Sequence, residues 1–205
     1  GGIGFDADIS GNVVPLLAPE HAAFFGDAAS LRASGRRDAI GGVQLDSLEL
    51  RTEALRLAGQ LTLAPDGQPL RFELTGKLGL PDGTAVILPF GGQDRTEVAS
   101  ASVALKFDAA ESEAWELDAQ LDGLWRPDLV VESLTLSGSG RIGRTAAGSS
   151  FDATLQFKAT EVVPTDAGVA QALGTVLSGD LVAQYQPGDD ALRLPRLTLD
   201  GQGYR

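Results

Sequence analysis

The sequence predicts an all-β fold: a long antiparallel meander curled into a hydrophobic groove, with two short helices. Three observations carry that expectation. Apolar and polar residues alternate in run after run, the period-two signature of half-buried strands. The runs are separated by Pro-Asp-Gly and other glycine-rich turn clusters, without the strand–helix–strand rhythm of a parallel sheet. Finally, about eleven strands with one apolar face each leave far more apolar surface than two helices of about two turns could cover.

The clearest stretch is Ala54 to Leu78. Leu55, Leu57, Leu61 and Leu63 share one parity, and Leu70, Phe72, Leu74 and Leu78 share one parity on the return. Arg56, Gln60, Thr62, Arg71, Glu73, Thr75 and Lys77 take the other face. Pro65-Asp66-Gly67 between the runs is a turn, since proline presets φ and glycine accepts a positive φ. The stretch therefore reads as an antiparallel hairpin.

The other elements follow in order. Ile3 to Ile9 alternates as a strand and turns at Gly11-Asn12. Pro19 to Phe25 reads as a short helix: Pro19 suits a first helical position, Glu20 the positive dipole end, and Gly26 the stop. Strands follow at Ser30 to Ser34 and Val43 to Arg51, before the hairpin. Pro81-Asp82-Gly83 is a second turn, Ala85 to Phe90 an apolar run of strand type, and residues 91–95 a loop. Val103, Leu105 and Phe107 alternate with Ser102, Ala104 and Lys106. Trp115, Leu117 and Leu121 alternate with Glu116, Asp118 and Gln120. Leu129 to Leu136 and Phe151 to Ala159, with Leu155 and Phe157 on one parity, continue the meander. A second helix is expected from Thr165 to Leu173, before Gly174. Strands at Leu181 to Tyr185 and Leu192 to Leu199 flank a turn at residues 186–190.

Three segments share one pattern: Leu45–Leu50, Val131–Leu136 and Leu194–Leu199, each apolar at its first, fourth and sixth positions. Three is odd, so a regular strand would send the first and fourth residues to opposite faces. A bulge at the intervening pair restores one face and bends the strand. Pro195 lies in that pair, and proline within sheets is confined to edges and bulges. A bend is expected at all three. The helices repeat as well, each following a proline, ending at a glycine and leading into a strand, so sub-repeats are expected over roughly 19–160 and 164–205 of one unit spanning 1–205.

The 205 residues suffice for one large β domain. A net charge of −12 and a pI near 4.4 argue against a nucleic-acid backbone or an anionic lipid surface as an electrostatic partner. With no cysteine there is no disulfide and no thiolate metal site. The chain opens on Gly1-Gly2-Ile3 and stops in mid-pattern at Arg205, so it is expected to be a fragment of a longer protein. No run approaches the length of a membrane-spanning helix, and no signal peptide is seen.

No motif points to catalysis or to a cofactor. Gly138–Gly143 matches GxGxxG but is followed by small polar residues and a strand instead of a helix, so a glycine-rich strand end and turn is expected. His21, the single histidine, has no nucleophile elbow to serve and is expected to be structural or solvent-facing. Asp189-Asp190 lacks the spaced carboxylates of a calcium loop. Asp66, Asp82, Asp122 and Asp200 each precede glycine and read as turn residues. Trp115 belongs to the apolar parity, whereas Trp125 has no clear place.

Three architectures would hide the apolar faces: two sheets in a dry sandwich, a small closed barrel, or a trough that holds something oily. A sandwich would suit a structural spacer or adhesin-like domain. An outer-membrane barrel would need aromatic girdles, and aromatics are 6% of this chain. Glycines within strands, Gly59 and Gly76, together with the expected bends, favour the curled trough. Its lining would be Leu55, Leu57, Leu61, Leu63, Leu70, Phe72, Leu74, Val103, Leu105, Phe107, Trp115, Leu117, Leu121, Leu155 and Phe157.

The chain also resembles the TamB family of translocation-and-assembly-module subunits, within the wider AsmA-like group. The resemblance is carried by Leu78–Phe90, by Ser102–Ile142 with Lys106-Phe107-Asp108 and Trp115-Glu116-Leu117-Asp118, and by the second helix with Val176–Leu181. These are repeat-type β patterns, not catalytic signatures. The resemblance implies a periplasmic β-groove, in a parent anchored in the inner membrane, that conducts phospholipid between inner and outer membranes and supports outer-membrane protein assembly. It implies as partners phospholipid acyl chains, an outer-membrane barrel and neighbouring segments of the parent chain. No enzyme activity, cofactor or metal is implied.

Overall fold

The computed structural model describes residues 2–89, 95–145, 148–188 and 191–201. It contains β1 (Ile3–Gly11), β2 (Ala29–Arg37), β3 (Val43–Arg51), β4 (Leu55–Leu63), β5 (Pro69–Gly79), β6 (Val86–Ile87), β7 (Glu97–Asp108), β8 (Ala114–Arg126), β9 (Leu129–Thr145), β10 (Gly148–Pro164), β11 (Val176–Tyr185) and β12 (Arg193–Asp200). All belong to one antiparallel sheet in the order β1-β2-β3-β4-β5-β7-β8-β9-β10-β11-β12, with β6 paired to β7 off the path. The meander is open: β1 and β12 are its two edges. It is neither a two-sheet sandwich nor a closed barrel.

Local chemistry explains the connections. At the β4–β5 turn Gly67 takes φ +82° and the Asp66 carboxylate accepts the Gln68 N–H at 3.0 Å. Gly83 and Asp82 repeat the device, with φ +76° and a 3.0 Å bond from the Thr84 N–H. The first helix is shorter than expected. Pro19–His21 is a 3-10 turn, and only α1 (Ala22–Phe25) is α-helical before Gly26, at φ +62°, stops it. The second is α2 (Ala167–Leu173), which starts two residues later than expected because the Asp166 side chain caps it, accepting the Val169 N–H at 2.8 Å. Gly174 ends it at φ +69°.

Register converts the strand alternation into rows that cross the sheet. One row runs Ile9, Leu31, Leu50, Leu57, Gly76, Val103, Ala119, Leu136, Phe157, Gly179, Leu199. The next runs Ala7, Ala33, Leu48, Gly59, Leu74, Leu105, Leu117, Gly138, Leu155, Leu181, Leu197. Phe5, Gly35, Leu45, Leu61, Phe72, Phe107, Trp115, Gly140, Ala153 and Ala183 form a third. A fourth joins Leu55, Leu78, Ala101, Leu121, Leu134, Ala159 and Leu177. Every position in the four rows is apolar or glycine.

The bends expected from the repeated pattern take two forms. In β3 the register shifts between Leu45 and Leu48, placing both leucines on the apolar face, as a bulge requires. In β12 the register shifts opposite Val182 to Gln184, so that Leu194 and Pro195 bulge out. At Val131–Leu136 no residue is inserted. Instead Ala99, Gly123, Glu132 and Glu161 stand at one level where pairing lapses on four adjacent strands. Gly123 and Glu161 take φ of +65° and +49° there. The kink turns Val98, Val131 and Val162 into the interior, at 1%, 4% and 4% exposure.

Two turn assignments are corrected by the strands. Gly138–Gly143 lies inside β9, not at a strand end and turn, because β9 continues to Thr145. Asp122 and Asp200 lie in β8 and at the end of β12, not in turns. β6 holds only Val86–Ile87 of the apolar run expected over Ala85 to Phe90, whose last residue lies outside the described residues with most of the 91–95 loop and Asp189-Asp190.

Candidate functional site

The apolar face is the surface that the sequence singles out, and the structure bends the sheet towards it. A Cβ at Gly59, Gly140 or Gly179 would collide with the carbonyl oxygen of Glu73, Asp152 or Thr198 on the neighbouring strand. The adjacent backbone therefore rises over the apolar side at each glycine. At Gly76 the side chains lean in instead, with Val103 Cγ1 2.8 Å and Leu57 Cδ1 3.4 Å from where a Cβ would sit. Only glycine permits these approaches, which is how it curves a sheet.

The fifteen residues expected to line the trough are all in the sheet, but not in one environment. Phe107 and Trp115 are buried with Ile142, Ala153 and Ala183, and Phe72, Leu105, Leu117 and Leu155 pack against them. The Trp115 and Phe151 rings stack with centroids 5.4 Å apart, across Gly140, and the indole N–H donates to the Asp152 carbonyl at 3.0 Å. Phe72 and Phe107 lie 5.2 Å apart. Leu55 packs in a second cluster, where Phe24 from α1 covers Ala54 and Val86. Leu57, Leu61, Leu63, Leu70, Leu74, Leu121 and Phe157 are half-buried, and Val103, at 38%, is exposed. A third cluster, Val131, Ala159 and Val162 with Leu124, Leu129, Leu134 and Leu177, extends the apolar face beyond the kink.

Sequence reasoning missed several of these buried positions. Phe24 was legible only as a helix residue, and Val98, Val131 and Val162 lie past a kink that flips parity.

The chain exposes 12407 Å², where a compact monomer of its mass would expose about 9,100 Å². The excess reflects an open sheet. On the edge strands the ends of the apolar rows face water, with Ile9 at 64% and Leu197 at 60% exposure.

A depression of about 860 Å³ lies elsewhere. It is bordered by residues 56–58, 75–77, 102–104, 118–120, 135–137 and 156–158, and by Glu49 and Arg51 without Leu50. Residues i−1 and i+1 of a strand share the face opposite i. The depression therefore opens on the polar face. Leu57, Val103 and Phe157 border it through the strands that carry their polar neighbours.

The isolated groups behave as local structure. His21 is half-buried, with Nε2 3.8 Å from Glu20 and no hydrogen-bond partner for Nδ1. Trp125, in β8, is 42% exposed. The Asp82 carboxyl is held below its ordinary value by the Thr84 N–H and hydroxyl, and Asp128 by its bond from Arg126. Among the described residues no cluster of His, Asp or Glu is placed to hold a metal ion. Among the described residues no helix is long and apolar enough to cross a membrane. No family model, curated protein or solved structure matches this chain.

Proposed function

We propose that the chain is a non-enzymatic β-groove segment that carries phospholipid acyl chains along its apolar face. The observation behind this reading is the set of four apolar rows, continuous over seven or more strands, of which the first two keep every side chain only half-buried or exposed. A soluble protein rarely leaves a large contiguous apolar patch without an occupant. Acyl chains suit the face because they need no hydrogen bonds and can lie along a bent, glycine-lined trough. The resemblance to the TamB family extends the proposal to a periplasmic setting, with transfer between inner and outer membranes and support for outer-membrane protein assembly.

Native mass spectrometry of gently purified protein tests it, with phospholipid adducts as the expected result. Val103→Asp places a charge on an exposed position of the central row and should remove the adducts while the sheet still folds. Arg71→Asp, on the polar parity, should keep them. A folded wild-type protein that carries no lipid and takes up none from vesicles would refute the proposal, as would equal loss in both variants.

A further inference from the structure

We propose that the polar-face depression is a binding site for a phosphate-bearing polyanion, recognised by a row of like-charged residues. This inference concerns the opposite face of the sheet and does not depend on lipid occupying the apolar side. Elsewhere in the described sheet, charged residues in paired register face opposite signs, and Glu132 and Glu161 are level only where pairing lapses. Asp8 faces Arg32, which faces Glu49. Glu73 faces Lys106, which faces Glu116. Arg71 faces Asp108, and Arg141 faces Asp152. One row breaks the rule: Arg51 is directly opposite Arg56, and Arg56 directly opposite Lys77.

Like charges directly opposite one another destabilise a sheet. A chain with net charge −12 has carboxylates to spare, yet it places three cations side by side. Arg51 has Glu49 as a partner, whereas among the described residues Arg56 and Lys77 form no ion pair. The same row continues through Ser102, Gln120 and Thr135 to Lys158, and all seven of these residues border the 860 Å³ depression, with Glu49 and Asp118 also on its border. Adjacent strands are about 4.8 Å apart, so successive cations stand close enough for their long side chains to converge on one polyanion. The hydroxyls supply neutral donors to the remaining oxygens. Bound anion would neutralise the repulsion that the free sheet carries, so binding and stability are linked.

The experiment titrates wild-type protein with tripolyphosphate by calorimetry, and in parallel measures sedimentation with phosphatidylcholine vesicles that contain or lack phosphatidylglycerol. The double variant Arg56→Gln/Lys77→Gln should weaken anion binding by about tenfold or more. Its thermal midpoint without anion should equal or exceed that of the wild type, which shows that it folds. Lys106→Gln, between Glu73 and Glu116 on the same face, should leave binding unchanged. Tripolyphosphate binding lost in the double variant supports a soluble phosphate ligand. Variant-sensitive binding only to anionic vesicles supports the same site with a lipid headgroup as the source. No binding to either probe, or equal loss in Lys106→Gln, overturns the proposal.

Discussion

Replacing Phe107 with alanine should unfold the sheet more readily than any equivalent change on the central row. Phe107 is 2% exposed, sits 5.2 Å from Phe72 ring to ring, and faces Trp115 across the β7–β8 ladder. Removing a buried ring of about 170 Å² forfeits about 4 kcal/mol of transfer free energy at 25 cal/mol per Å². The surrounding Ile142, Ala153 and Ala183 are held by neighbouring strands and cannot close the gap fully, so a cost of about 3–5 kcal/mol is expected. Val103→Ala removes two methyl groups from a residue that is 38% exposed, and should cost about 1 kcal/mol or less. For a chain of this size each kcal/mol moves the midpoint by about 2–4 °C. Urea unfolding followed by tryptophan fluorescence, with the slope checked for constancy, measures both variants. A Phe107→Ala cost within about 1 kcal/mol of Val103→Ala would refute the assignment of this cluster as the sheet's structural anchor.

Three further outcomes follow from single contacts. Gly138→Val would bring side-chain atoms into Leu155 Cδ2, 2.5 Å from a Cβ at this position, and Trp115 Cζ3, 3.3 Å away; overpacking should cost about 1–3 kcal/mol and shift the Trp115 emission. Asp166→Ala removes the α2 cap and should cost about 1 kcal/mol locally, read as faster amide exchange at Val169 without change in β7 or β8. The Asp82 carboxyl should titrate below 3.8 by carbon NMR, because its charged form is the one that accepts the Thr84 N–H. Its contribution is therefore fully present well above 3.8 and is lost as pH falls through the lowered folded value. Thr84→Pro, which removes the N–H, should bring the titration back towards 3.8.

Alternation made most of the sheet legible. Val43 to Arg51 matches β3 end to end, and the hairpin pairs Leu55 to Thr62 with Leu78 to Arg71 in the register that parity required, before a shift that sets Leu63 opposite Pro69. Those residues are read easily because each strand has one apolar and one wet face, so a slip by one residue would expose the whole apolar set. The odd spacing in Leu45–Leu48 was also readable, since an odd interval between two buried leucines needs a bulge. The lapse at Ala99, Gly123, Glu132 and Glu161 was not. It inserts no residue, and Glu161 is a residue that rarely takes positive φ. Four adjacent strands deform together there, which is a tertiary event with no signature in any one of them. The burial of Val98, Val131 and Val162 therefore lay beyond sequence reasoning.

The same distinction explains why the trough was easier to expect than the polar depression. Apolar residues announce a buried face by repetition along one strand, and the four rows simply multiply that signal across the sheet. A cation row carries no such signal. Arg51, Arg56 and Lys77 are unremarkable on their own strands, each flanked by leucine, threonine or glycine. Only register brings them side by side, and only the three-dimensional arrangement of the strands shows Lys158, four strands further on, bordering the same hollow. A sheet selected for stability alone would exchange one of the three for a carboxylate, as it does at Lys106 between Glu73 and Glu116. The site proposed on the wet side therefore has the same logic as the groove proposed on the oily side: a feature that costs the free protein stability is one that a bound ligand would offset.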